Sequence, residues 1–309
     1  MNLLYLKYAV EVAKTTSITK AAEALYMGQP NLSRAIKDLE EELGIKIFKR
    51  TSKGIVPTEE GEEFLGYARS ILSQVDAMER MYKGERANTQ LFSASVPRAT
   101  YISCAFTDFV KSVSGSERME LLYRETNSLR AINNIVEAGY RIGIIRYQSA
   151  YDRYFKAMLA EKGLASELIC EFSHVALMSE KNPLSGKKSF RSEELAGMTE
   201  IAHGDPFVPN LPQSEARKSE LSEYVDKHIF VFERGSQFGL LEQLPDAFMW
   251  VSPIPKRILE QHHLVTRPCE DDHKVYRDVL IYRKNYRLTD LDCQFIDSLT
   301  AYKREVLGG

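Results

Sequence analysis

Residues 16–50 constrain the fold of this chain more than any other stretch, because they combine two short helical patterns with a tight turn between them. In the first pattern Ala21, Ala22 and Leu25 share one face, and Thr19 is the predicted N-cap. Small side chains on that face allow a second helix to approach closely. The stretch therefore predicts a pair of closely packed helices.

The second pattern predicts a helix over residues 29–43, with Gly44 ending it. Its apolar stripe is formed by Leu32, Ile36, Leu39 and Leu43. Its polar and basic positions lie mostly in the N-terminal half, and three glutamates follow at the far end. A helix of this kind is suited to enter a DNA major groove by its first turns. A solvated helix face of mixed charge is the alternative interpretation.

A predicted hairpin follows, in which residues 45–48 and 54–57 flank a basic tip that includes Arg50 and Lys53. A basic hairpin directly after a basic helix indicates a wing that touches the sugar-phosphate backbone. The whole chain has 309 residues and a formal net charge of −2, so its overall charge does not indicate a nucleic-acid partner. Residues 1–57, however, hold nine Lys/Arg against six Asp/Glu. Phosphate attraction is short-ranged in salt, so this local excess matters more than the total.

The segment from residue 17 to residue 62 resembles the winged helix-turn-helix of LysR-type transcriptional regulators. The matching motifs are AAE.L at 21–25, QP.LSR.I..LE.ELG at 29–44, IFKR at 47–50 and T..G at 58–61. One departure is Gly28, where the family has a serine N-cap and glycine caps more weakly. The resemblance, with the helix pattern, implies double-stranded promoter DNA as a partner. The predicted DNA-binding residues are Thr19, Gln29, Pro30, Asn31, Ser33, Arg34, Lys37, Arg50 and Lys53.

A long helix is predicted after Thr58, which would cap it. Its apolar residues recur in a heptad pattern, which needs a partner surface. Packing on its own domain is one possibility. The resemblance favours the other, a linker helix that joins two subunits in a homodimer or homotetramer. The heptad positions are Phe64, Ala68, Ile71, Val75, Met78 and Tyr82.

From residue 91 onward, short apolar strands alternate with amphipathic helices, which predicts parallel sheets covered by helices. This part resembles the effector-binding region of the same regulators, which is similar to periplasmic binding proteins. The fold class is thus α/β overall, with an N-terminal all-α winged helix-turn-helix, a linker helix and a two-lobed α/β region. The predicted boundaries are 1–58, 59–87 and 88–309, with lobe I at 91–161 and 268–309 and lobe II at 162–267. The chain would cross between lobes near 161–164 and 265–268.

A small-molecule effector is expected between the lobes, since ligands of open α/β sheets lie at the carboxyl ends of strands. Arg98 and Arg146 are candidates for bidentate contacts to a carboxylate, although each could equally be a surface arginine. Phe248, Met249 and Trp250 would make one wall bulkier than in the family. The predicted effector-binding residues are Pro97, Arg98, Ala99, Thr100, Tyr101, Thr126, Asn127, Ser128, Arg146, Tyr147, His203 and Asp205.

Catalytic and metal sites are not expected. The histidines and acids at 262–263 and 270–273 lack metal-ligand spacing, and the serine in 235–239 is misplaced for a nucleophile elbow. The four cysteines, which are widely separated and predicted to be free thiols, are Cys104, Cys170, Cys269 and Cys293. No cofactor other than the effector is expected.

The N-terminus is interrupted by charges, and no stretch approaches 18 uncharged apolar residues, so we expect a cytoplasmic protein without a signal peptide or membrane span. The hypothesis is a LysR-type transcription regulator, and the resemblance implies RNA polymerase as a further partner. An α/β enzyme or a solute-binding receptor domain fused to a DNA-targeting module is the alternative.

Overall fold

The computed structural model describes residues 2–51, 54–82 and 89–308. The chain forms two compact units, one built mainly from Met1–Asn88 and the other from Thr89–Val136 and Tyr140–Gly309. The elements of the first unit are α1 (Leu3–Thr15), α2 (Ile18–Ala24), α3 (Gln29–Leu43), β1 (Phe48–Thr51), β2 (Gly54–Pro57) and α4 (Glu59–Tyr82).

The first unit has a core in which α1, α2 and α3 converge. Val12, Ala21, Leu32, Leu39 and Leu65 are all essentially inaccessible to solvent there. The small alanine on α2 lets α1 and α3 approach, as the sequence predicted. Burial of each large apolar side chain stabilises the unit by roughly 1.5–3 kcal/mol. The helix-turn-helix is therefore held by tertiary packing, since α2 spans only seven residues.

The N-cap of α2 is Ser17, not Thr19. The Ser17 side chain accepts a hydrogen bond from the Lys20 N–H, and the helix begins at Ile18. The prediction of Thr19 as the cap is therefore wrong by two residues. Both residues are good caps by type, and the left-handed Thr16 at the end of α1 sets where the next helix starts. Thr19 lies inside α2 with an exposed side chain.

The start of α4 is fixed to the loop that precedes the wing, the β1–β2 hairpin. The Gly61 N–H donates to Thr58 Oγ1 at 2.9 Å, which confirms Thr58 as the predicted N-cap. The Thr58 hydroxyl in turn donates to the Lys46 carbonyl. A Cβ at Gly61 would lie 2.0 Å from the Ile47 carbonyl oxygen, so this close approach requires glycine.

The predicted heptad stripe on α4 begins within the first unit. Phe64 packs against the core and Ala68 is buried, so the alternative that the stripe packs on its own domain holds for these two. Ile71 and Val75 are half-buried. The side chains of Met78 and Tyr82 lie outside what the structure describes.

The second unit contains two five-stranded sheets. Lobe I has the strand order β4-β3-β5-β12-β6, and lobe II has the order β11-β7-β10-β8-β9. The elements of lobe I are β3 (Thr89–Val96), α5 (Thr100–Val113), β4 (Arg118–Glu125), α6 (Ser128–Val136), β5 (Ile142–Gln148), α7 (Asp152–Glu161), β6 (Leu164–Ser173), β12 (Val275–Arg283) and α11 (Asp290–Leu307). The elements of lobe II are β7 (Val175–Ser179), β8 (Thr199–His203), α8 (Gln213–Ser219), β9 (Lys227–Val231), α9 (Gly235–Gln243), β10 (Ala247–Val251), α10 (Lys256–Gln261) and β11 (Leu264–Arg267).

Each lobe combines parallel strands joined by helices with antiparallel strands that lie next to the segments where the chain crosses between the lobes. In lobe I, β3 pairs in parallel with β4 and β5, whereas β12 is antiparallel to β5 and β6. In lobe II, β8 is parallel to β9 and β10, whereas β7 is antiparallel to β10 and β11. The predicted α/β class with a winged N-terminal unit is confirmed.

The first crossing between the lobes lies ten residues later than the sequence predicted. β6 (Leu164–Ser173) pairs along its length with β12 and belongs to lobe I, so lobe II does not begin at 162. β6 ends at Ser173 and β7 starts a new sheet at Val175, so the chain crosses between the lobes at His174. The second crossing is the segment 268–274, close to the predicted position.

In the described part of the chain, no helix is both long and apolar enough to cross a lipid bilayer. The four cysteines are free thiols, as predicted. Cys104 and Cys170 are buried, and burial raises the pKa of Cys170 to about 11.

Candidate DNA-binding surface and inter-lobe cleft

The N-terminal half of α3 exposes the side chains that the sequence assigned to DNA. Gln29, Pro30, Asn31, Arg34 and Lys37 are exposed, and Ser33 is half-buried. Arg34 makes no hydrogen bond or ion pair with any described residue, so its guanidinium donors are free for a ligand. Lys37 forms only a surface pair with Glu41 at 3.3 Å, and such a pair contributes little.

The start of α3 has the weak cap that the sequence indicated. Gly28 is extended and supplies no side-chain hydrogen bond, while Pro30 occupies the first turn, where its missing N–H costs nothing. The Asn31 N–H donates to the Gly28 carbonyl at 3.0 Å. The first turn of α3 is thus held by backbone contacts alone.

Glu40 connects α3 to the wing. Its carboxylate accepts from the Ile47 N–H at 2.9 Å and the Phe48 N–H at 3.1 Å, and Lys46 Nζ lies 2.8 Å away. The sequence shows this glutamate only as one of three at the far end of the helix, but it is 8% exposed and fixes the chain entering β1. No spacing rule would have shown this, because the partners are two backbone N–H groups and one lysine side chain six to eight residues away.

The wing carries the remaining predicted contacts. Arg50 lies in β1 opposite Ile55 of β2, and the Ile55 N–H donates to the Thr16 carbonyl at the end of α1. Lys53 lies outside the described residues. The wing is therefore attached both to α1 and, through Glu40, to α3.

Within the second unit, a cleft of about 580 Å³ lies between the two lobes. This size suits a small organic molecule. Ten of the twelve predicted effector-binding residues line it: Pro97, Arg98, Thr100, Thr126, Asn127, Ser128, Arg146, Tyr147, His203 and Asp205.

The other two predicted residues, Ala99 and Tyr101, do not line the cleft. Both are buried, because the turn after β3 points them into the core of lobe I. The Tyr101 hydroxyl donates to Asp278 Oδ2 at 2.5 Å. Burial and the Asp278 carboxylate hold the pKa of Tyr101 well above its usual value, so it stays a neutral donor beneath the cleft.

The guanidinium of Arg146 is already occupied by a carboxylate of its own chain. Its Nε and Nη2 lie 2.8 and 2.7 Å from the two oxygens of Asp278, which is fully buried. The same guanidinium lies 4.7 Å from the centre of the Phe172 ring. The sequence made Arg146 a candidate to bind the carboxylate of a ligand by bidentate contacts. In the structure that bidentate geometry is already used by Asp278. Asp278 lies far away in the chain, so no local motif indicated the pair.

Arg98 is likewise paired, but across the two lobes. Arg98 Nη1 lies 2.9 Å from Asp205 Oδ1, and Arg130 Nη1 lies 3.0 Å from Asp205 Oδ2. The Asn127 amide also donates to the Asp205 carbonyl at 2.9 Å. An anionic ligand at Arg98 would have to compete with Asp205, so such a ligand would couple binding to the contact between lobes.

Further contacts between the lobes were not predicted from the sequence. Glu220 of lobe II accepts from Gln148 Nε2 at 2.9 Å and from the Tyr276 hydroxyl at 3.2 Å. Arg234 Nε lies 2.9 Å from Glu125 Oε1. These residues are separated by up to 109 positions in the chain, and only the three-dimensional fold brings them together.

Two histidines of the cleft are held neutral. Burial, with the nearby Arg98 guanidinium, lowers the pKa of His203 to about 4. Burial, followed by Arg146 and Lys274, lowers the pKa of His174 well below its usual value. The His174 ring stacks on Tyr276 with 3.8 Å between centroids, at the first crossing between the lobes. Buried His203 Nδ1 makes no hydrogen bond with a described residue.

The residues considered for catalysis or metal binding lie in regular secondary structure or in ordinary side-chain contacts. Gly235–Gln243 forms α9, so Ser236 lies inside a helix and not in the turn between strand and helix where a nucleophile elbow has its serine. His262 Nδ1 lies 2.6 Å from Glu242 Oε1. Over residues 2–51, 54–82 and 89–308, no three His, Cys, Asp or Glu side chains are grouped so as to hold a metal ion.

Comparisons with known proteins agree with the winged N-terminal unit. Residues 3–62 match the family described as "Bacterial regulatory helix-turn-helix protein, lysR family". The HTH-type transcriptional regulator YnfL of Escherichia coli (strain K12) is 27% identical over 213 residues, which are 67% of this chain and 65% of YnfL. The match thus spans slightly less than two thirds of that relative. BudR of Raoultella terrigena, also an HTH-type transcriptional regulator, is 25% identical over 79% of this chain and 85% of BudR.

The fold of the whole chain also has a solved counterpart. A crystal structure of full-length CbnR complexed with its target DNA covers 98% of this chain and 100% of CbnR, with a TM-score of 0.63 and 15% identity. This likeness concerns the fold alone. Together with the family match over residues 3–62 and the named regulators, it indicates the same architecture of winged unit and two lobes. Residues 3–62 thus belong to the lysR family of bacterial regulatory helix-turn-helix proteins, and the chain as a whole is similar to HTH-type transcriptional regulators.

Proposed function

We propose that this protein is a transcription regulator that binds promoter DNA through the first turns of α3 and through the wing. The observation that carries the proposal is exposed Arg34, which pairs with no described residue, beside exposed Gln29 and Asn31 on the first half of α3. Arginine and amide side chains make the bidentate contacts that distinguish bases in the major groove. CbnR, whose fold the chain shares, has been solved with its target DNA.

Arg34→Ala tests this role directly. The duplex is the region immediately upstream of the protein's own gene, with a random-sequence duplex of equal length as competitor. We expect the variant to lose about tenfold or more in specific affinity, because a bidentate base contact discriminates by that amount. Lys7→Ala is the control, since it removes one exposed positive charge from α1. Equal footprints for wild type and Arg34→Ala would contradict the proposal.

The proposed assembly is a homodimer, or a homotetramer built from it, joined through α4. Half-buried Ile71 and Val75 continue the heptad pattern beyond the residues that pack into the winged core. Ile71→Lys should place a charge in that seam and lower the mass measured by light scattering. Glu63→Lys, at an exposed position of the same helix, should leave the mass unchanged. An unaltered mass for Ile71→Lys would show that the seam does not join subunits.

The proposed regulatory ligand is a small molecule bound in the cleft between the lobes, and no other cofactor is proposed. The cleft volume and its mixture of aromatic and polar lining residues support this. A ligand changes the output only if it binds two arrangements of the lobes with different affinity. Thermal-shift screening of the full chain with metabolites should find compounds that raise the Tm. Ala202→Trp, which fills the cleft, should abolish that shift; a shift that persists would place the ligand elsewhere.

We further propose a cytoplasmic location and RNA polymerase as a partner, both of which follow from action at promoters. Catalytic and solute-receptor functions are set aside because the relatives reported above are transcriptional regulators.

A further inference from the structure

Tyr26, in the turn between α2 and α3, is unusually exposed. It is 98% accessible to solvent, whereas Tyr67, the next most exposed large apolar or aromatic side chain among the described residues, is 65% accessible. Its hydroxyl and ring make no hydrogen bond or ring contact with any described residue. The side chain therefore contributes nothing to packing within the first unit.

The backbone at Tyr26 adopts a conformation that is unfavourable for tyrosine. The Tyr26 N–H donates to the Glu23 carbonyl and the Met27 N–H donates to the Ala22 carbonyl, at 3.1 and 3.0 Å. These two bonds form a Schellman motif that ends α2, with Tyr26 at the left-handed position (φ 53°). Glycine or asparagine is preferred at that position, since a Cβ is disfavoured there. A bulky, unpacked tyrosine thus costs stability without any return inside the unit.

The position of Tyr26 suggests where its side chain is used. It precedes the first residue of α3 by three positions, and the exposed Gln29, Pro30 and Asn31 follow it. In helix-turn-helix proteins the start of the second helix enters the major groove, while the preceding helix crosses the backbone. The turn between them therefore lies beside the phosphates that border the groove. Tyrosine hydroxyls are among the donors that proteins use to contact phosphate oxygens.

We propose that Tyr26 is a DNA-positioning contact whose hydroxyl donates a hydrogen bond to a backbone phosphate beside the groove read by α3. This rests on the proposed DNA-binding function. The contact is independent of sequence, because a phosphate is present at every step. It should hold α3 in register and so compensate for the weak cap at Gly28. The contact also explains why tyrosine occupies this turn, although the left-handed backbone conformation there is unfavourable for it.

Tyr26→Phe and Tyr26→Gly, both made in the full chain, separate the cost to folding from the contact to DNA. We expect Tyr26→Phe to lower affinity about tenfold for both the upstream duplex and a random duplex, with an unchanged Tm. Tyr26→Gly should lower affinity at least as much while raising the Tm, because glycine suits the left-handed position. The slope of affinity against salt should not change, since a neutral hydroxyl releases no counterion. Tyr67→Phe, at an exposed position of α4, is the control and should bind like wild type.

Several results would overturn the proposal. If Tyr26→Phe binds as wild type while Tyr26→Gly is weak, the ring and not the hydroxyl makes the contact. If both variants bind as wild type, Tyr26 does not touch DNA. If Tyr26→Phe weakens only the upstream duplex, the hydroxyl reads a base. Absence of DNA binding by the wild-type protein would instead refute the proposed function itself, so the two failures are distinguishable.

Discussion

The two units of this protein treat their charged side chains in opposite ways. On the first half of α3, Arg34 is exposed and unpaired among the described residues, and Lys37 has only a surface partner. In the cleft of the second unit, Arg98 and Arg146 are each held by a carboxylate of the chain itself, at 2.9 and 2.7 Å. The first surface is ready to bind a ligand as it stands. A ligand of the second surface would have to replace internal contacts with its own.

This difference suggests how the two sites work. An exposed cation near a solvated helix face keeps its attraction for phosphate and loses little on binding. A buried ion pair has given up hydration that only its partner restores, so removing one member is costly. The Arg98–Asp205 pair joins the two lobes and also lines the cleft, so in the proposed ligand site the same charges would serve both purposes. Substitutions of single charged or titratable groups in each unit test this contrast.

Asp278→Asn should destabilise the second unit by about 3 kcal/mol, because it leaves the Arg146 guanidinium buried without its counter-charge. The loss can be measured by urea denaturation of the full chain, monitored through Trp250 in β10. Glu260→Gln is the control, since Glu260 forms an exposed pair with Lys256 at 3.5 Å. That variant should change stability by less than about 0.5 kcal/mol. Equal losses in both variants would remove the distinction between buried and exposed charge.

Acidification should destabilise the second unit through its neutral histidines. The pKa of His203 is lowered to about 4 in the folded chain, whereas the unfolded chain has an ordinary value near 6.5. Between these values the unfolded state binds more protons, so stability is present above about pH 6.5 and is lost as pH falls towards 4. The loss from this residue can reach about 3 kcal/mol.

His203→Gln should therefore flatten the plot of unfolding free energy against pH over that window. The plot retains some slope, because the pKa of His174 is lowered in the same direction. His263→Gln, with an 83% exposed side chain, should leave the plot unchanged. A His203→Gln plot parallel to wild type would mean that His203 takes up a proton in the folded cleft as readily as in the unfolded chain.

Glu40→Gln should cost about 1–2 kcal/mol in the first unit, because a neutral amide accepts more weakly from the Ile47 and Phe48 N–H groups. DNA affinity should fall as well, since the wing loses its fixed attachment to α3. Glu41→Gln, on the exposed side of α3, should have little effect on stability. If the two variants behave alike, Glu40 does not orient the wing.

The sequence predicted the first unit well because its information is local. The apolar stripe of α3, the cap at Thr58 and the stop at Gly44 depend on residues within a few positions of one another. What it missed there were the tertiary contacts: the buried role of Glu40 and the cap at Ser17. Each depends on where another element ends.

In the second unit the sequence indicated the fold class and most of the lining of the cleft, but not its electrostatics. The partners Asp278 and Asp205 are separated from Arg146 and Arg98 by 132 and 107 positions. No periodic pattern relates residues that far apart. The first crossing was also misplaced, because a strand that pairs with β12 has the same alternation as one that starts a new sheet.

Recognition of DNA by α3 and the wing makes the affinity for DNA depend on salt concentration. The affinity of the full chain for the duplex upstream of its own gene should be measured by fluorescence anisotropy across a range of salt concentrations. The logarithm of affinity should fall linearly with the logarithm of salt concentration, with a slope of about −2 or steeper, since each neutralised phosphate contributes about −0.9. The upstream duplex should also outcompete a random one at every salt concentration. A flat salt response, or equal affinity for both duplexes, would contradict recognition of DNA by α3 and the wing.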